Sequence, residues 1–322
     1  MKRRSRIALL LIASIIAWSG EVAAQSKRPL IGELAWGPCG HTDPDFAAGL
    51  ADFGRIPGKT VDLICQSAER RYEGLLPAAK NLVDLNVDVI VTQFQPGARA
   101  AQEATKTVPI VSIISGDPVG GGLARSLARP GGNLTGVTYY ATELTGKRLQ
   151  LLKELAPKIN TVGVLANPDA SFLPFEDDTK LAARTLGIRA VFAYARVSAD
   201  LADAFRQMKS EGADAVFILP DLMLGENGQT IADLALASDL PSMGWGQWYT
   251  GQGVLMAYSA DNGKMNRRLG FYVDRILSGV APGELPIEQP STFELSVNAR
   301  TAKKLGIEIP ELLLVRVDRV VE

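Results

Sequence analysis

Hydrophobic positions along the chain fall into short β-branched runs. They alternate with longer segments whose apolar residues recur every three to four positions. That alternation marks βαβ units built on a parallel sheet. Residues 30–34 predict a first strand and 43–53 its helix, and 60–65 predict a second strand. Over 72–85, Leu75, Leu76, Ala79, Leu82 and Val83 share one stripe at helical spacing. The apolar run at 87–91 suits a strand covered on both faces. A helix over 96–105, a strand over 109–114 and an extended segment over 134–139 complete this block.

The pattern then begins again. Helices are predicted over 144–155, 175–186, 199–208 and 229–237. Strands are predicted over 161–165, 189–194, 215–219, 241–245 and 254–258. The second block repeats the layout of the first without repeating its residues. A helix over 265–277 follows, then a connector over 279–290 that carries Pro282, Gly283, Pro286 and Pro290. Strand-like and helical pieces run to Glu322. Two tandem βα blocks in a chain of 322 residues predict an α/β protein of two lobes with parallel sheets.

The amino terminus reads differently. Lys2, Arg3, Arg4 and Arg6 precede an apolar stretch over 7–18, and Val22, Ala23 and Ala24 then offer small residues for cleavage. This three-part layout predicts a signal peptide over 1–24 and a secreted, periplasmic protein. Its apolar stretch is shorter than the roughly 20 residues of a membrane span. Removing it lowers the net charge from −1 to −4, which disfavours a nucleic-acid partner. The two cysteines, Cys39 and Cys65, both fall in the remaining chain. In an oxidising compartment a disulfide is the first reading. Two free thiols, or a soft metal site shared with His41, are the alternatives.

Catalytic patterns are missing. There is no Walker A sequence and no nucleophile elbow. The glycine-rich stretch 116–122 lacks the lysine of a phosphate loop. With a single histidine, a Ser-His-Asp triad has only one candidate base. The expectation is a non-enzyme without cofactor or resident metal. In open α/β sheets ligands settle beyond the carboxyl ends of the strands. Those ends carry Trp36; Gln93, Phe94 and Gln95; Ser115 and Asp117; Asn167; Asp221; Trp245 and Gln247. Tyr139, Tyr140 and Tyr258 stand near the expected lobe crossings. Aromatic and small polar groups dominate, fitting a small ligand with an apolar body and a few polar anchors. Simpler roles compete. Trp36 and Trp245 can cap a core, and Asp117-Pro118 can be a turn. Asp221 can be an N-cap. Gln95-Pro96-Gly97 can be a helix start, whose free amides can in turn hold a carboxylate.

Four stretches carry a family likeness: VDVIVTQ (87–93), VPIVSIISGDPVGGGLARSLARPGGNLTGVT (108–138), ELTGKRLQLLKELAPKINTVGVLANP (143–168) and LPIEQPSTFELSVNARTAKKLGIEIPELLLVRVDRVVE (285–322). The chain resembles the ABC transporter substrate-binding proteins whose better-known members bind tryptophan, phenylalanine or tyrosine. The resemblance implies the type I periplasmic binding fold, with two Rossmann-like lobes joined by three crossing segments and the ligand in the cleft. Residues 25–138 with about 260–284 would form one lobe, and 139–259 with about 285–322 the other. Residues 93–97 and Asp117 would line one wall, Asn167 and Asp221 the other, with Asp221 near a ligand ammonium. Gln93, Phe94 and Gln95 replace the family's usual small residues, so a smaller or differently shaped ligand is expected. The implied partner is an inner-membrane ABC permease, with the protein itself a monomer. A periplasmic sensory module and an enzyme on a Rossmann-like scaffold are the rival expectations.

Overall fold

The computed structural model describes residues 27–139, 142–169 and 173–322. The predicted signal peptide and Tyr140 lie outside them. The first block folds as β1 (Leu30–Ala35), α1 (Pro44–Ala51), β2 (Asp62–Ser67), α2 (Tyr72–Asp84), β3 (Val89–Gln93), α3 (Phe94–Ala104), β4 (Ile110–Ile114) and β5 (Leu134–Thr138). The second opens with α4 (Thr142–Leu155), β6 (Thr161–Ala166), α5 (Leu173–Thr185), β7 (Arg189–Tyr194) and α6 (Leu201–Ser210). It continues through β8 (Ala215–Ile218), α7 (Leu222–Glu226), α8 (Gly228–Ala237), β9 (Ser242–Gly244), α9 (Trp248–Gly251) and β10 (Met256–Ala260). After them come α10 (Asn262–Leu277), β11 (Phe293–Asn298), α11 (Ala299–Lys304), α12 (Glu311–Leu314) and β12 (Arg319–Val321).

These strands make two sheets, ordered β2-β1-β3-β4-β5 and β12-β11-β10-β9-β8-β6-β7. Every pairing is parallel except β10 with β11. Strands β4, β5, β6 and β8 are buried at every position. Helices on both faces of a parallel sheet require this, and it is why these runs show no alternation of apolar and polar residues. Among the described residues no helix is long and apolar enough to cross a membrane.

Helix α10 follows the second block in sequence yet packs on the first sheet, against β3, β4 and β5, and crosses α1. The crossing is a contact of backbones. A Cβ added to Gly270 would sit 2.1 Å from the Gly49 carbonyl carbon, and one on Gly49 would sit 2.0 Å from Arg267 O. Only glycine allows helices this close. The chain then runs beside β5, where Glu288 N–H donates to Gly136 O and Thr138 N–H to Glu288 O.

Three features depart from the pattern reading. Helices α7 and α9 span five and four residues, too few for a helical period to register. Helix α3 starts at Phe94, ahead of Pro96, with Phe94 at φ +65°. The antiparallel pair arises because β11 enters the second sheet after the chain has returned from the first lobe.

Candidate functional site

The carboxyl ends of β1 and β3 in one lobe, and of β8 and β9 in the other, border a cavity of about 400 Å³. Helices α1 and α10 close its first-lobe side through Asp43, Phe46, Asn266 and Leu269.

Polar groups on the first-lobe wall are held in two short chains. Gln93 Nε2 donates to Asn266 Oδ1 at 2.9 Å, and Asn266 Nδ2 donates to Asp43 Oδ2 at 3.1 Å. Asp43 Oδ1 caps α1 by accepting the Asp45 and Phe46 amides. Beside it, Thr42 Oγ1 donates to Glu33 Oε2 at 3.2 Å. Burial holds the Glu33 carboxyl above its usual range. The Thr42 hydrogen bond offsets part of that shift, and the Asp43 charge adds to it.

On the opposite wall Asp221 is 4% exposed and caps α7, accepting Leu224 N–H at 2.8 Å. Asn167 Nδ2 reaches the same carboxylate oxygen at 3.4 Å, and the Tyr72 hydroxyl donates to the other across the cleft. Burial outweighs these hydrogen bonds and raises the Asp221 pKa. Burial also raises Tyr72, and the Asp221 charge raises it further. A second bridge joins the lobes where Arg70 Nε meets Glu226 Oε2 at 2.8 Å.

Aromatic rings fill the rest. Trp36 packs on Tyr72 with centroids 4.7 Å apart. Trp245, 1% exposed, meets Phe94 and Tyr139 edge-on at 5.8 Å each, and Trp248 at 4.8 Å. Its backbone is fastened from behind by Arg148, which donates to Tyr258 O at 2.8 Å and to Trp245 O at 3.4 Å. Burial pushes the Arg148 guanidinium down to about 10.

Of the residues expected at the strand ends, Trp36, Gln93, Phe94, Asp221 and Trp245 border the cavity. Asn167 stands one hydrogen bond behind, on Asp221. Tyr139 backs Trp245 and donates its hydroxyl to Asn262 Oδ1. Gln95, Ser115, Asp117 and Gln247 are not among the bordering residues. Gln95 N–H donates to Ser115 Oγ at 3.2 Å. Its side chain lies against Gly116 and Gly121, where added Cβ atoms would sit 1.8 Å from Oε1 and 2.4 Å from Nε2. The glycine-rich stretch therefore wraps a buried glutamine. Asp117 Oδ1 accepts Val119 N–H within its own turn, and the Gln247 carbonyl accepts the Thr250 hydroxyl.

The carboxylate seat expected at 95–97 is not available as drawn. Helix α3 begins earlier, the Gln95 amide is spent on Ser115, and Pro96 has no N–H. Glu33, Asp43, Phe46, Glu226, Trp248 and Asn266 also border the cavity, outside the set expected from the strand ends. Glu33 had a legible signal, a lone carboxylate inside an apolar strand. Asn266 had none, since it arrives from a helix far along the chain.

Cys39 and Cys65 form a disulfide with Cα atoms 5.8 Å apart. It ties the loop after β1, which carries Trp36, Gly37 and His41 to the cavity, onto β2. Among the described residues no cluster of three His, Cys, Asp or Glu side chains is arranged to hold a metal ion.

The pattern that defines the ABC transporter substrate binding protein family matches residues 43–321. The chain belongs to that family. This substrate-binding protein is 25% identical over 264 residues to the tyrosine-binding protein of Clostridioides difficile, covering 82% of this chain and 76% of that one. A conserved domain protein of Vibrio cholerae superposes with a TM-score of 0.84 at 28% identity, over 91% of this chain and all of the other. The ABC domain from Streptococcus pneumonia in complex with L-Trp superposes with a TM-score of 0.83 at 24% identity, again over 91% and all of the respective chains.

Asp221 gives this binding protein a pH signature. A carboxyl whose folded pKa is raised contributes stability at low pH that is lost as pH rises through the raised value. Asp221→Asn is therefore expected to stabilise the ligand-free protein at pH 7 by about 1 kcal/mol, the common scale of a single stabilising substitution. The gain should vanish near pH 3. Urea midpoints at the two pH values check this, and a variant less stable than the parent at pH 7 would contradict it.

Proposed function

We propose that this protein is the solute-binding component of an ABC importer, secreted through a signal peptide over 1–24 and working as a periplasmic monomer without catalysis. Its lobes, 25–138 with about 260–284 and 139–259 with about 285–322, close on a small ligand and present the closed form to an inner-membrane permease. The observation that carries this reading is the cavity itself. It lies between the strand ends of both lobes and takes wall residues from each, so a solute inside gains contacts from both walls only when they approach. Its size falls within the roughly 300–1,000 Å³ of small-molecule sites. The relatives that bind tyrosine and L-Trp support an amino acid or an aromatic or heterocyclic compound as the solute class.

Mass spectrometry of solute released on denaturing the purified protein, paired with small-angle scattering, tests the proposal. A defined small molecule should be released, and adding it back to stripped protein should reduce the radius of gyration. No released solute, and no compaction with any member of a broad amino-acid and heterocycle panel, would remove the reading.

A further inference from the structure

Resting on that solute-binding reading, we propose that the ligand is an organic cation, an aromatic amine without a carboxylate, held between aromatic rings and the Glu33 and Asp221 carboxylates. The charge of the cavity is one-sided. Glu33, Asp43, Asp221 and Glu226 border it, whereas among the described residues no lysine or arginine does. Of these four only Glu226 has a cationic partner among the described residues, Arg70. Glu33 accepts a single hydrogen bond, through Oε2 from Thr42. Asp221 is almost fully buried, and its partners Tyr72, Asn167 and the Leu224 amide are all neutral donors. Buried carboxylates with no counter-charge are costly, and a cation in the cavity supplies the missing charge to both walls at once.

Several helix-start amides near the cavity that could seat an amino acid's carboxylate are already engaged. The amides that open α1 are taken by Asp43, and the α7 amide of Leu224 by Asp221. At α3 the Gln95 amide is taken by Ser115, and Pro96 has none. His41, an exposed loop residue, is the one basic side chain at the border among the described residues. Meanwhile Trp36, Phe94 and Trp248 border the same space, with the buried Trp245 packed behind Phe94 and Trp248. Ring faces attract ammonium and N-heterocyclic cations, most strongly when water is excluded. Aromatic surface, uncompensated carboxylates and spent amides select for amine over amino acid.

The experiment pairs compounds that differ only in the carboxylate. Tryptamine against L-tryptophan, and tyramine against L-tyrosine, are titrated calorimetrically into the full mature protein freed of bound solute. At least one amine should bind about tenfold or more tightly than its amino acid, the scale of one charge-assisted contact. Glu33→Gln should weaken that amine by a similar factor without lowering the ligand-free unfolding midpoint. Amino acids binding as tightly as the amines, or amine affinity indifferent to Glu33→Gln, would overturn the assignment and leave the solute-binding reading standing. Should neither class bind and no solute be released from the purified protein, both readings fall together.

Discussion

Replacing Trp245 with alanine is expected to cost about 3–5 kcal/mol of folding stability, the range for emptying a large buried aromatic site, and to abolish solute binding. Trp245 is almost wholly buried and follows the short strand β9. Its ring meets Phe94 from the first lobe, Tyr139 at the crossing, and Trp248 and Tyr249 from its own lobe. Truncation leaves a void bounded by other rings, and those rings are fixed on separate elements that cannot all collapse into it. Arg148 continues to hold the backbone carbonyl, so the lesion is one of packing. Urea denaturation of Trp245→Ala and Trp245→Phe checks the expectation, with the phenylalanine variant losing less than half as much. A loss under 1 kcal/mol in the alanine variant would show that the ring is not the hub its contacts indicate.

Removal of the Cys39–Cys65 bridge is the second large expected effect. The cysteines are 26 residues apart in sequence, and a loop of that size gives about 3.5 kcal/mol of stabilisation through the unfolded chain. The double substitution Cys39→Ser with Cys65→Ser should lower the unfolding midpoint accordingly. The parent protein under dithiothreitol should fall to the same value. Binding should weaken too, because the loop that the bridge anchors carries Trp36 and His41 to the cavity. Oxidised parent, reduced parent and double variant unfolding together would show that the bridge does not constrain the chain.

Much of this architecture was readable from the pattern of residues, and what escaped did so for physical reasons. The apolar runs that became β4 and β6 and the stripe that became α2 stood out because layered βα packing demands them. The start of α3 was misplaced because proline so often opens a helix. Here Phe94, at φ +65°, opens the helix two residues ahead of it. At the site, Trp36, Phe94 and Trp245 were legible because strand ends announce themselves. Asn266 and Leu269 were not, because α10 is contributed from a distant part of the chain and nothing local in its sequence names the lobe it joins. Asp117 and Gln247 were drawn in by position alone. Their side chain and carbonyl turn inward to satisfy their own loops.

The place of α10 also bears on how the protein comes into being. A ribosome releases the chain from its amino end, so β1 to β5 are complete long before residue 262 emerges. Until then the face of the first sheet that α10 covers is bare, and Gly49 has no helix to lie against. The strip at 285–288 that borders β5 arrives later still. The lobe that begins first is therefore finished late, after most of its sister has been made. An amino-terminal fragment ending near residue 139 would leave that apolar face of the first sheet exposed until residues 262–288 arrive to cover it.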